Sequence, residues 1–212
     1  MFITFEGGEG SGKTTIIRKL QKILTKKGLD VVVSREPGGS LVAEQIRKVI
    51  LEPKNTEMTA ETEALLLAAA RTQHLSEVLM PNLVENKIVI CDRYLDSSLA
   101  YQGYARGLGF DFILKANDYA LKWLPDLTFY LDLDPKIGLA RITNRSFLNR
   151  LDLEKIDFHE NVRKGYLEVV KMYPNRVILI DANKSVEAIV QDIMKYIEEV
   201  LWSEHLVFLN KL

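Results

Sequence analysis

The sequence predicts an α/β fold, a parallel β-sheet covered by helices on both faces, and two observations carry that expectation. Short apolar runs, Phe2 to Phe5, Val31 to Val33, Ile88 to Cys91, Leu127 to Leu133 and Val177 to Ile180, recur between helical stretches. Runs that are apolar throughout suit strands buried on both sides. The first run opens directly into Gly7-Gly8-Glu9-Gly10-Ser11-Gly12-Lys13-Thr14, which meets the pattern G-x-x-x-x-G-K-[ST] at every specified position and leads into the helical run Thr15 to Lys26.

That loop has the composition of a phosphate cradle. Glycines let backbone N–H groups turn inward and approach phosphate oxygens, because a Cβ would clash and several of the turns need positive φ. Lys13 adds a cation for the β- and γ-phosphates, Thr14 a hydroxyl for Mg²⁺, and the helix starting near Gly12 directs its positive dipole end at the same place.

A chain of 212 residues can bury one sizeable core, so a single domain over residues 1–212 with a small mobile appendage is expected. The net charge of −1 leaves no basic footprint for polymeric nucleic acid. The longest apolar stretch, Ala64 to Ala70, is far too short to span a bilayer, and nothing ahead of the first strand reads as a secretory leader. The expectation is a cytoplasmic enzyme without membrane association. Cys91 is the only cysteine, which excludes an intrachain disulfide and a thiolate zinc cluster, and it reads as a small buried hydrophobe. His74, His159 and His205 lack partners at metal-ligand spacing and read as packing or surface residues.

Along the chain, Gly28 ends the first helix. Arg35-Glu36-Pro37-Gly38-Gly39-Ser40 then falls at the carboxyl end of the second strand, the edge where open parallel sheets bind ligands. A plain turn with a helix N-cap at Ser40 is an equal reading. Thr62 to Asn86 is helical, with Pro81 expected to kink or split it, and Arg71 must snorkel to solvent or turn inward to a ligand. The strand Ile88 to Cys91 runs into Asp92-Arg93, an acid placed to order Mg²⁺ or to sit in an ordinary turn. Leu95 to Gly109 crowds hydroxyls, an amide and phenols in a way that suits a polar planar ligand. A helix is expected over Ile137 to Asn144, putting Arg141 and Arg145 on one face. Ser146 to Ile156 reads as a loop over an active site or a solvated connection. Glu160 to Tyr173 and Val186 to Leu201 are amphipathic helices, and the tail Trp202 to Leu212 carries no motif.

Phe5-Glu6-Gly7 ahead of the phosphate loop, Arg35-Glu36-Pro37-Gly38-Gly39, and Asp92 to Gly103 (Asp-Arg-Tyr-Leu-Asp-Ser-Ser-Leu-Ala-Tyr-Gln-Gly), in that order, resemble the thymidylate kinase family. The resemblance implies a P-loop nucleoside monophosphate kinase fold with a five-stranded parallel sheet and a small lid at about residues 144–156. It also implies ATP-dependent phosphorylation of dTMP to dTDP, a step toward dTTP, by a homodimer. By that resemblance Gly7 to Thr14 hold ATP with Arg141 nearby, and Thr14 and Asp92 position Mg²⁺. Lys13 acts on the transferring phosphate, Arg93 and Arg47 contact the acceptor phosphate, and Glu9 meets the acceptor's sugar hydroxyl or metal-bound water. Glu36, Pro37, Leu67, Ser97, Ser98 and Gln102 line the dTMP site, Arg71 donates to a base carbonyl, and Tyr101 sits under the deoxyribose. No residue between Gly7 and Gly12 is basic, so the extra charge for the transferring group is expected from Arg145 and Arg150. Leu67 and Leu151 stand where aromatics are usual in the family. A guanine-nucleotide switch would need Asn-Lys-x-Asp, and Asn86-Lys87-Ile88-Val89 and Asn183-Lys184-Ser185-Val186 both lack the acid.

Overall fold

Strands β1 (Phe2–Glu6), β2 (Val31–Arg35), β3 (Ile88–Asp92), β4 (Leu127–Asp132) and β5 (Val177–Asp181) form one five-stranded sheet in the order β2-β3-β1-β4-β5. Every neighbouring pair is parallel. The computed structural model describes residues 1–143 and 148–209, with side chains described as far as Leu201. From β1 the chain runs outward to β2 and back to β3, then crosses to β4 on the other side of β1. The order therefore reverses at β1, and the crevice beyond its carboxyl end is where such a sheet takes a ligand.

The alternation of side chains along each strand divides the core in two. Ile3, Phe5, Ile90, Phe129 and Leu131 face α1 (Lys13–Lys26) and α10 (Val186–Leu209), whose Ile16, Leu20, Leu24, Ile193 and Ile197 close that side. Phe2, Val89, Cys91 and Tyr130 point the other way, against Leu75, Leu79, Tyr94, Leu99 and Tyr166. Each such fully buried side chain contributes roughly 1.5–3 kcal/mol, so the strands are held chiefly by these two layers. Cys91 and His74 are buried, as packing residues should be.

Helices α2 (Leu41–Leu51), α3 (Ala60–His74) and α4 (Met80–Val84) follow β2. The irregularity expected at Pro81 lies earlier, in a π-helical turn over Leu75–Leu79, and Pro81 sits in the first turn of α4, where no backbone N–H is needed. Within the stretch Leu95 to Gly109, residues Leu95 to Ala105 are helical: α5 (Leu95–Ser98) runs into a second π-helical segment, Leu99–Ala105. After it come α6 (Phe110–Ala116), α7 (Asp118–Leu121), α8 (Pro135–Ile142) and α9 (Ile156–Met172), which starts ahead of Glu160. Helix α10, expected to end at Leu201, continues into the tail as far as Leu209. Ser40 does precede α2, but its side chain makes no capping bond. Among the described residues no helix is long and apolar enough to cross a membrane.

Candidate active site

The cleft at the β1 switch point has a volume of about 380 Å³ and takes its walls from the phosphate loop, the loop after β2, α3, the end of β3 with the helix beyond it, and α8. Gly12 caps α1 with φ 92°, and Gly7 and Gly10 also lie at positive φ, so this loop path is closed to most other residues. Glu9, Gly10, Ser11, Gly12, Lys13 and Thr14 all line the cleft, while Gly8 backs a small void behind the loop. Lys13 Nζ donates to the carbonyls of Gly7 and Gly8, each at 3.0 Å. Burial, then repulsion from Arg93, brings its ammonium down to about 8. Thr14 Oγ1 lies 3.4 Å from Asp92 Oδ2. That hydroxyl and carboxylate are hard oxygen donors in the small number that suits Mg²⁺, which completes its shell with water and phosphate oxygens.

Arg93 leaves β3 at φ 71°, a left-handed backbone that costs an ordinary residue on the order of 1–3 kcal/mol and is found where a side chain must be aimed. Its guanidinium donates to Glu9 Oε1 at 2.6 Å, to Tyr166 Oη at 3.1 Å and to Ser97 Oγ at 3.3 Å, and it lies 5.0 Å from the centroid of the Tyr101 ring. Tyr101 Oη is 3.4 Å from the same Glu9 oxygen. Arg47 of α2 reaches back to the Pro37 carbonyl at 2.6 Å, and Arg141 of α8 to the Gly10 carbonyl at 3.1 Å. Arginines thus stand on both sides of the loop.

Arg71 turns inward, with 2% of its surface exposed. It donates to Glu36 at 2.7 Å, Asn117 at 2.5 Å, and the Tyr94 carbonyl and Ser98 Oγ at 3.0 Å each. Glu36 lines the cleft and also meets His74 Nδ1 at 3.1 Å, so the carboxylate expected in the dTMP site anchors the arginine and histidine behind it as well. Removing one member of such a buried pair leaves a bare charge and typically costs 3–5 kcal/mol. Pro37, Leu67, Ser97, Ser98, Tyr101 and Gln102 also line the cleft.

Arg150 departs from expectation. Its guanidinium is bound to Glu63 and to the Ile50 carbonyl, and it does not line the cleft, because the buried Glu63 carboxylate holds it against α3. Arg145 lies outside the described residues, as does part of the expected lid.

Arg35 belongs to the loop that the sequence places at the ligand-binding edge of the sheet, whereas Asn149, Glu6 and Glu63 carry no assigned role in the sequence. Arg35 and Asn149 line the cleft. Glu6 lies beneath it, accepting from the Tyr94 N–H at 2.7 Å, from Tyr166 Oη at 2.9 Å and from Ser97 Oγ. The signal was an acid ending an apolar strand, inside Phe5-Glu6-Gly7. Burial, then the Asp96 carboxylate, push Glu6 from 4.5 up to about 7. Between those values the folded protein keeps a proton that the unfolded chain has released, so native stability falls as pH rises, by about 3 kcal/mol over the window. Glu6→Gln removes the titrating group. Its stability relative to the parent should therefore climb by about that amount from pH 4.5 to 8, as read by urea unfolding at both pH values. A difference independent of pH would mean that Glu6 is ionised throughout.

The thymidylate kinase family model matches residues 5–193. The chain is 57% identical over 196 residues to thymidylate kinase of Acholeplasma laidlawii, covering 92% of this chain and 96% of that protein. It is 52% identical over 204 residues to that of Anoxybacillus flavithermus, covering 95% and 98%. The crystal structure of thymidylate kinase from Ehrlichia chaffeensis matches it with a TM-score of 0.76 at 32% identity, over 93% of this chain and 98% of that one.

Proposed function

The chain belongs to the thymidylate kinase family and catalyses ATP-dependent phosphorylation of dTMP to dTDP, and from that premise we propose which of its residues perform each part. The observation that carries the assignment is that the phosphate loop and the Asp92 to Gln102 segment, 78 residues apart from Thr14 to Asp92, meet in one cleft.

Phosphoryl transfer asks little covalent chemistry of a protein; two anions must be held in line and their charge neutralised. Loop N–H groups, the α1 dipole and Lys13 hold the donor phosphates of ATP, with Arg141 beside the loop. Arg93 and Arg47 face the acceptor phosphate from the other side, and Glu9 fixes Arg93. Arg71, already oriented by Glu36 and Asn117, presents its outer edge to the base, Gln102 stands beside it, Leu67 covers the ring by dispersion, and Tyr101 lies under the sugar. Thr14 and Asp92 would hold Mg²⁺, which supplies charge neutralisation on the phosphates. With Arg150 on Glu63, the basic groups nearest the loop among the described residues are Lys13, Arg93 and Arg141, and Arg145 supplies further charge to the transferring group.

Asp92→Asn tests the metal assignment. The variant should need at least about tenfold more Mg²⁺ for half-maximal rate while dTMP affinity stays close to the parent's, because an amide oxygen is a weaker ligand for a hard cation. An unchanged Mg²⁺ requirement removes Asp92 from the metal site.

A homodimer is supported by exposed apolar side chains on the packed pair α2 and α3, namely Val42, Val49 and Leu65, and light scattering reads the mass directly. Residues 144–156 act as the lid of a single domain. The enzyme works in the cytoplasm on free nucleotides, a reading its net charge of −1 favours over binding of polymeric nucleic acid.

A further inference from the structure

We propose that Glu63 determines base specificity, by fixing Gln102 so that its carbonyl oxygen, and never its amino group, faces the base. The proposal rests on the reading above that Gln102 lies beside the base.

Glu63 is on α3, four residues and so about one turn before the cleft-lining Leu67, with 1% of its surface exposed. Gln102 Nε2 donates to its Oε1 at 2.7 Å. Arg106 reaches the same carboxylate, with Nη2 at 3.2 Å from Oε2 and Nε at 3.4 Å from Oε1, and Arg150 joins from the far side. Burial alone would raise this acid, but Arg106, Gln102 and Arg150 together hold it below the usual carboxylate value. Glu63 is therefore ionised, and an ionised carboxylate only accepts hydrogen bonds. The opposite orientation of the Gln102 amide would press two oxygens together in a buried place, so the amino group is committed to Glu63.

The other end of the amide is then fixed as an acceptor. Gln102 Oε1 is buried and finds no hydrogen-bond partner among the described residues, although Gln102 lines the cleft. A buried acceptor with nothing to accept is unusual and points to a ligand donor. Thymine offers a ring N–H between its two carbonyls. Cytosine offers a bare ring nitrogen at that place, which would set lone pair against lone pair. The discrimination comes from an unmade buried hydrogen bond, which spans a factor of about five to 150.

The test compares kcat/KM for dTMP with kcat/KM for dCMP in the parent, Glu63→Gln, Glu63→Asp, Gln102→Met and the Glu63→Gln/Gln102→Met double variant. The Glu63→Gln amide can donate as well as accept, so Gln102 is freed to reverse, and the dTMP to dCMP ratio should fall by about five- to 150-fold. Loss of the Arg106 and Arg150 pairs would lower both substrates alike and leave the ratio untouched, which separates specificity from stability. Glu63→Asp keeps the charge for the arginines and withdraws from Gln102, so it should lose part of the ratio even if Glu63→Gln does not fold. In the Gln102→Met background, Glu63→Gln should change the ratio no further. If Gln102→Met lowers the ratio while both Glu63 variants preserve it, Glu63 is a structural anchor and the proposal falls. If Gln102→Met also leaves it unchanged, the placement of Gln102 beside the base has failed first.

Discussion

Lys13→Ala should lower kcat by at least ~10²-fold without lowering the melting temperature of the free enzyme. A preorganised charge acting on developing phosphate charge is typically worth several kcal/mol in the transition state. Lys13 is placed for that role, on the first turn of α1, with its ammonium held over the loop by the Gly7 and Gly8 carbonyls at 3.0 Å. In the free protein the same group is a burden, because burial and Arg93 bring it down to about 8 from 10.5. For a cation with a depressed folded value, the penalty is fully present below the folded value and is relieved as pH rises through it. At pH 7 the ammonium therefore costs the fold about 3 kcal/mol, which the variant escapes apart from some lost packing. Activity and stability should move in opposite directions, as they do where a strained group serves function. Steady-state rates with both substrates saturating and thermal melts at pH 7 check the two halves separately. A kcat near the parent's removes Lys13 from the chemistry. A melting temperature several degrees lower would mean that the bonds to the loop carbonyls outweigh the buried charge.

What the sequence reveals about this protein is what can be read from neighbours in the chain. The phosphate loop was plain because glycine spacing, a strand before and a helix after are all local; the central strands β1, β3 and β4 were plain because burial on both faces leaves unbroken apolar runs, and the edge strands β2 and β5 keep apolar runs although they are partly exposed. The helix over Leu95–Ala105 was not, since its π-helical half carries Gly103 and a polar crowd that break the 3.6-residue period. Helix α9 begins at Ile156 without a side-chain cap at Lys155, so no residue announces its start. Glu6 and Glu63 were missed for a different reason. An acid in an apolar strand or helix looks like a solvated face until the arginines and hydroxyls that satisfy it arrive from elements up to 160 residues away, as Tyr166 does at Glu6. Arg150 shows the converse: its motif position implied the phosphates, but a buried carboxylate on another helix holds it.

Gly10→Ala should cost at least ~10²-fold in kcat/KM for ATP while dTMP affinity changes far less. Two separate obstacles meet at this residue. Its φ of +69° is left-handed, where alanine loses roughly 1–2 kcal/mol. A Cβ built there would also stand 2.1 Å from the Gly138 carbonyl oxygen and 2.9 Å from Gly138 Cα, both backbone atoms of α8. The contact is reciprocal, since a Cβ on Gly138 would lie 2.1 Å from the Glu9 carbonyl oxygen. Loop and helix thus touch backbone to backbone, and Arg141 pins them further through the Gly10 carbonyl. No flexible side chain is available to give way, so relief requires the loop to move by about 1 Å, and a displacement of that size in a reacting group can cost 10²-fold. Most of the acceptor site is spared because Arg71, Arg93 and Gln102 are carried by α3 and the segment after β3, not by the loop. The fold should survive as well, since both core layers lie elsewhere. Calorimetric titration with dTMP, beside kcat/KM measured at varied ATP, separates the outcomes. Parent-like values for ATP would mean that the loop and α8 can part without disturbing the phosphate cradle, whereas an equal loss for both substrates would mean that the shift reaches Arg93 through its 2.6 Å bond to Glu9.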